Sequence, residues 1–327
     1  MFQHGKRVVR QLFQFILISL VLGTGIVAAR SPDQALLDGL RQRGLFELAR
    51  YHCRQKLESS QAGSRQQVTW TVQLMRTLAT EARQADQQQR DALWDQAGDV
   101  AASFVVEYRD HPQLALVRVH AALILLARGE LERFEAEIAV DREVAMQKAQ
   151  QDLRAGIKQL SQLERELPAM IPQAPRRAEG ELLTADELIS LHNNVRYQLG
   201  RAYRNQALSY PAAGDDRVAA LQRATTQLEK PLQQLAQDDQ LRAEVIRELV
   251  ACLRLQGKLE LAMQWLEQLD EMPLSTPLVL AARAERVQLA LAGGKTDEAI
   301  ALFKKPRRLG GVISPDLDMA LLDTYLA

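Results

Sequence analysis

Gly257-Lys258-Leu259-Glu260-Leu261-Ala262 and Gly294-Lys295-Thr296-Asp297-Glu298-Ala299 are the same phrase 37 residues apart, and Gly44-Leu45-Phe46-Glu47-Leu48-Ala49 is a third copy. Each glycine closes a run whose apolar residues recur at spacings of three and four, and the same periodicity resumes behind it. The local reading is helix, turn, helix.

Outward from these turns the whole chain after residue 30 takes the same form, with no run of β-type alternation. Helix starts are written in Ser31-Pro32-Asp33-Gln34, Ser64-Arg65-Gln66-Gln67 and Thr184-Ala185-Asp186-Glu187, where a capping hydroxyl is followed three residues later by Gln or Glu. Ser314-Pro315-Asp316 opens a last helix. The predicted segments are 32–43 with 45–59, 65–85 with 88–109, and 113–128 with a long run from a break at Gly129 to about Leu167. They continue as 185–209 with 216–236, 239–256 with a helix ending at Met272-Pro273, and 277–292 with one ending near Lys305-Pro306. A helix pair of this kind buries its apolar face only by stacking on its neighbours.

Composition agrees. Of 327 residues, 47% are hydrophobic and 25% charged, with 17 Gly and 11 Pro. Gly plus Pro is thus about 9%, below the roughly 12% of average usage, which excludes collagen-like, Gly/Pro-rich disordered and turn-dense all-β chains. The 41 basic and 41 acidic residues balance, so no broad electrostatic footprint for nucleic acid exists. Cys53 and Cys252 are too few for a disulfide framework and are expected to be separate packing residues.

The first thirty residues read as an address. Lys6, Arg7 and Arg10 precede a mostly apolar run from Leu12 to Val27 that ends at Val27-Ala28-Ala29. A basic start, an apolar middle and small residues at the end form an export signal, with cleavage expected after Ala29. The alternative is a retained anchor, because the run approaches the ~20 residues that span a bilayer. Without residues 1–29 the chain has 38 basic and 41 acidic residues, net −3. The expected location is periplasmic or cell envelope, with membrane contact only through residues 12–29 if they are retained.

The three glycine phrases resemble the mid-repeat turn of tetratricopeptide repeats, in which Gly closes the first helix and a small Ala marks where the second crosses it. Leu199-Gly200 followed by Tyr203 resembles the first-helix half of that signature, and Leu266, Leu269 and Pro273 resemble the second-helix core and terminal Pro. The resemblance is strict only in the last two full units; elsewhere the period departs from the ~34 residues of the family. It implies an all-α, irregular α-solenoid of about six helix pairs plus a C-terminal helix over residues 30–327, with a Pro-rich insertion at 168–183. The competing architecture is a compact helical bundle, for which no closing pattern is present. The last helix is expected to be either a terminal cap or the front of a longer array.

No motif for chemistry stands out. The histidines at 4, 52, 111, 120 and 192 pair with no His or Cys at metal-ligand spacing. Gly293-Gly294-Lys295-Thr296 lacks the upstream Gly and the strand of a phosphate loop. Glu135 and Glu137, Asp238 and Asp239, and Asp316 and Asp318 fit solvated faces or helix starts. Trp70, Trp94 and Trp265 fit core positions. No cofactor, metal or catalytic residue is expected.

One surface carries a sharper expectation. On the helix 185–209, Asn194, Tyr197, Arg201 and Arg204 share a face, opposite an apolar stripe of Leu188, Leu191, Val195, Leu199 and Ala202. On 239–256, Glu244, Arg247, Ala251 and Arg254 have the same spacing, opposite Ile246, Leu249, Val250 and Leu253. The family resemblance implies that such faces line a groove in which Asn and Arg hold a peptide backbone or carboxylate; a planar guanidinium suits the latter. Asn194, Tyr197, Arg201, Arg204, Arg247 and Arg254 are therefore the expected partner-binding residues, and an acidic or C-terminal peptide is the expected ligand. A second surface is the stripe Leu153, Ile157, Leu160, Leu163 and Leu167, either a seam for another chain or packing for the helix near Thr184. The expected function is an exported, nonenzymatic scaffold or adaptor for proteins. The alternative is a helical superstructure of a larger envelope enzyme whose catalytic part lies outside this chain.

Overall fold

The computed structural model describes residues 31–303, 309–312 and 314–326. The export segment at 1–29 lies outside the described residues. Thirteen helices form among those described: α1 (Pro32–Gln42), α2 (Phe46–Ser59), α3 (Arg65–Gln84), α4 (Gln87–Glu107), α5 (Leu114–Ala136), α6 (Arg142–Met170), α7 (Ala185–Leu208), α8 (Asp215–Leu232), α9 (Gln240–Leu255), α10 (Leu259–Asp270), α11 (Thr276–Ala292), α12 (Thr296–Phe303) and α13 (Pro315–Leu326). No strand occurs among them, and one isolated bridge joins Leu309 to Val312. The protein is all-α, and among the described residues six consecutive helix pairs are followed by α13.

The three quoted glycines explain the pairs. Gly44, Gly257 and Gly294 have φ of 72°, 74° and 70°, the left-handed region that a Cβ disfavours. Around each, the same two hydrogen bonds close the first helix. Leu45, Lys258 and Lys295 donate to the carbonyls of Leu40, Leu253 and Ala290, and the glycines donate to those of Arg41, Arg254 and Leu291. This double bond pattern satisfies carbonyls left over at a helix end and reverses the chain in three residues. Ala49, Ala262 and Ala299, five residues on, are wholly buried. The capping residues act as their spacing implies: Ser31, Ser64 and Thr184 accept from the backbone N–H of Gln34, Gln67 and Glu187. At Thr184 the box closes, since Glu187 accepts in return from the Thr184 N–H at 2.8 Å.

Contacts divide the chain into two compact units, one within Thr24–Gln198 and one within Leu199–Ala327. In the first, α3 packs on α1 and α5, and α2 and α4 each pack on the first helix of the next pair. In the second, α11 packs on α9 and α13, with α8, α10 and α12 against α9, α11 and α13. Within each unit successive pairs therefore stack first helix on first helix.

Three sequence expectations need correction. Gly129 does not break a helix: it lies inside α5, and the chain reverses at 137–141. A Cβ there would lie 3.0 Å from the Ala149 carbonyl oxygen, and one at Gly156 would lie 2.6 Å from Leu126 Cδ2. Both glycines let α5 and α6 approach closely, so small size and not turn geometry placed them. The stripe Leu153, Ile157, Leu160, Leu163 and Leu167 is buried, so it is not an exposed seam for another chain; α6 packs along α5, the preceding helix, and also meets α7, the helix near Thr184, through Glu164 and Arg196. The insertion starts later than 168, because Pro168 is taken into the end of α6 and a 3-10 turn follows at Ile171–Gln173. The remainder is anchored: Gln113 Nε2 donates to the Glu181 carbonyl at 2.9 Å, and Ala185 N–H to that of Pro175 at 3.0 Å.

Candidate functional site

The polar faces of α7 and α9 have the apolar stripes behind them as expected. Leu188, Leu191, Val195, Leu199, Ala202, Ile246, Leu249, Val250 and Leu253 are all buried. The polar residues themselves divide into two groups. Asn194 and Tyr197 are 7% and 2% exposed, so they are not on an accessible face. Helix α7 is covered on more than one side: Arg196 meets Glu164 of α6 at 3.4 Å, and Arg65 of α3 meets Glu187 at 2.6 Å. The sequence of a single helix shows one apolar stripe and does not register a polar stripe covered by a neighbour.

The arginines are gathered by a residue that the sequence reading passed over. Glu248 of α9 has no exposed side chain, and three guanidiniums surround it. Arg204 Nε donates to its Oε2 at 2.8 Å, Arg247 Nη2 to its Oε1 at 2.5 Å, and Arg201 Nε lies 3.9 Å from Oε1. These arginine side chains keep 15%, 20% and 16% exposure at 201, 204 and 247. Burial alone would push the Glu248 carboxyl up; Arg204, Arg247 and Arg201 overcome it and hold its pKa at about 2. One turn further, Arg254 Nε meets Glu285 of α11 at 3.2 Å, tying the first helices of successive pairs together. Cys252 is free and buried beside this line, and burial pushes its thiol up; Cys53 is likewise free and buried.

Glu248 was missed because it sits next to Arg247 and reads as half of a surface ion pair. The available signal was its position four residues after Glu244 and one before the core residue Leu249, at the border of the two faces.

Elsewhere, polar groups link neighbouring pairs. Arg41 is buried and donates to the Gln73 carbonyl and the Thr77 hydroxyl, each at 2.8 Å, and burial lowers its pKa to about 10. Arg128 meets Asp91 and Asp95 of α4 and Glu132 and Asp152 of α5 and α6. There, burial and the adjacent Glu132 raise Asp152 to about 6 against Arg128 and Lys148. His120 is buried, and burial with nearby Arg76 lowers its pKa to about 3, leaving a neutral packing residue. Trp70 and Trp94 are core, whereas Trp265 is half-buried. An open cleft of about 330 Å³ lies between α7 and α8, lined by Tyr203, Ala219, Gln222, Arg223, Thr226 and Gln227. Among the described residues no group of His, Cys, Asp and Glu is placed to hold a metal, and no helix is long and apolar enough to cross a membrane. Compared with protein-family models, curated proteins and solved structures, the chain matches none.

Proposed function

We propose that this chain is an exported, nonenzymatic helical-repeat scaffold of tetratricopeptide-like kind, which holds a protein partner through the first-helix face bearing Arg201, Arg204, Arg247 and Arg254. The observation that carries the reading is the convergence of Arg201, Arg204 and Arg247 on Glu248. A buried carboxylate fixes three long side chains that would otherwise lose rotamer freedom on binding, and each remains partly open to solvent. Pre-set guanidiniums suit a carboxylate ligand, so the ligand class is an acidic or C-terminal peptide. Asn194 and Tyr197 have no part in the reading, because they are buried.

Charge reversal is a poor test, since it would strand Glu248. Arg→Lys changes at 201 and 254 keep the charge and lose the planar fork. The full chain and the Arg201→Lys/Arg254→Lys variant, shown to melt alike, are each used to capture proteins from envelope extract. A partner held by the first and lost by the second is the expected result. Equal capture by both would remove the arginine face from the function.

A further inference from the structure

We propose that Asp152 of α6 and Glu132 of α5 share a single proton, which makes the stack of α4, α5 and α6 a clasp that tightens as the surroundings become mildly acidic. Three helices bring charge to the site: Asp91 and Asp95 from α4, Arg128 and Glu132 from α5, and Lys148 and Asp152 from α6. Beside them Arg90 of α4 is held by Glu135 of α5 at 2.6 Å and gives the site no further cation. Four carboxyls thus face two cations, and the fully ionised site has an excess of negative charge. Asp91 and Asp95 keep 56% and 69% of their side chains in water, which screens them. Glu132 and Asp152 keep 12% and 19%, so the uncompensated charge falls on these two.

The hydrogens of the two cations do not reach both carboxyls. The end nitrogens of Arg128 serve α4, Nη1 donating to Asp95 at 3.4 Å and Nη2 to Asp91 at 3.3 Å. Its Nε carries one hydrogen, which Glu132 Oε1 accepts at 3.4 Å. Lys148 Nζ lies 2.8 Å from that same oxygen and 3.5 Å from Asp91. Asp152 Oδ2 is 3.1 Å from Arg128 Nε yet receives no hydrogen bond, and Glu132 Oε2 is likewise buried without one. Two carboxylates therefore meet at one N–H, each with a buried oxygen left over. One proton answers both needs, because a protonated carboxyl donates to its neighbour and the interior pair loses a charge. Burial, and then the neighbouring Glu132, raise Asp152 to about 6 against Arg128 and Lys148. An unfolded chain, with the ordinary aspartate value of 3.8, binds that proton only at lower pH. The folded form is therefore stabilised as pH falls from above 6 toward 4. The sign is opposite to that of Glu248 in the other unit, whose contribution is lost in acid.

The test uses the full chain and two readouts. Carbon-13 labelling of the aspartate carboxyls, assigned through the backbone, follows Asp152 directly, and its signal should change with a midpoint near pH 6. In Glu132→Gln the like charge is gone, and that midpoint should fall by about one pH unit or more. Hydrogen exchange reads the clasp itself. Protection factors in α5 and α6, from which the intrinsic pH dependence of exchange is already removed, should rise about tenfold between pH 7.5 and pH 5. Asp152→Asn places an amide donor where the protonated acid stands. Its α5 and α6 should be as protected at pH 7.5 as those of the parent at pH 5, with no further gain in acid. Histidines titrate in both proteins, so only the difference between the two counts. A parent midpoint near pH 4, or one unmoved by Glu132→Gln, would overturn the proposal. So would equal pH slopes in the parent and Asp152→Asn.

Discussion

Glu248 is a fully buried carboxylate held by three guanidiniums. A carboxylate with no solvent access among three guanidiniums loses hydration that only those partners replace. Glu248→Gln keeps the shape and removes the charge. It should cost about 2–3 kcal/mol, below the roughly 3–5 for breaking a fully buried pair, because the three arginines keep partial exposure. The sign with pH follows from a folded pKa near 2 against an ordinary value of 4.5. The group's contribution is complete above about pH 4.5 and fades as pH falls toward 2. Urea unfolding of both proteins from pH 7 to 2.5 checks this. The gap between them should be constant in the upper range and narrow in the lower, and a gap independent of pH would refute the arrangement. Burial at Asn194 shows the limit of reading single residues: an Asn on a polar helical stripe has the same letter whether water or another helix covers it.

At the scale of elements, glycine has two roles here that look alike in the sequence. Gly44, Gly257 and Gly294 supply a left-handed backbone at a helix end, and their repeated setting made those turns legible. Gly129, Gly156 and Gly200 sit within helices where a neighbour comes too close for a Cβ. At Gly200 that Cβ would lie 2.4 Å from Leu228 Cγ, on a side chain that is itself fully buried. Gly200→Ala should therefore destabilise by about 1–3 kcal/mol through overpacking. Combining it with Leu228→Ala should cost less than the sum of the two single changes, since the second removes the atoms that the first strikes. Chemical denaturation of the four proteins measures that coupling, and strict additivity would show that the two residues do not touch. Gly129 was misread as a turn because helix-breaking and close packing call for the same residue, and only the partner helix tells them apart.

At the scale of the whole molecule, successive pairs within each of the two units pack on their immediate neighbours. In stacking of this kind a local lesion stays local. Gly156→Ala drives a Cβ against Leu126 in the α5–α6 contact. Hydrogen exchange should rise in α5, α6 and the adjoining α4 and stay unchanged in α11, α12 and α13. A uniform rise through all thirteen helices would instead mark one cooperative core.

The all-α class, the six pairs with a last helix, and three of the caps were readable from the chain alone. They rest on short-range rules: apolar period, hydroxyl-to-amide spacing, and glycine where the backbone must turn left-handed. The α5 reversal, the burial of Asn194 and Tyr197, and the gathering of arginines on Glu248 were decided only in three dimensions. Each depends on how closely a distant helix packs and on which charges it brings, and neither distance nor desolvation is encoded in the spacing of one helix.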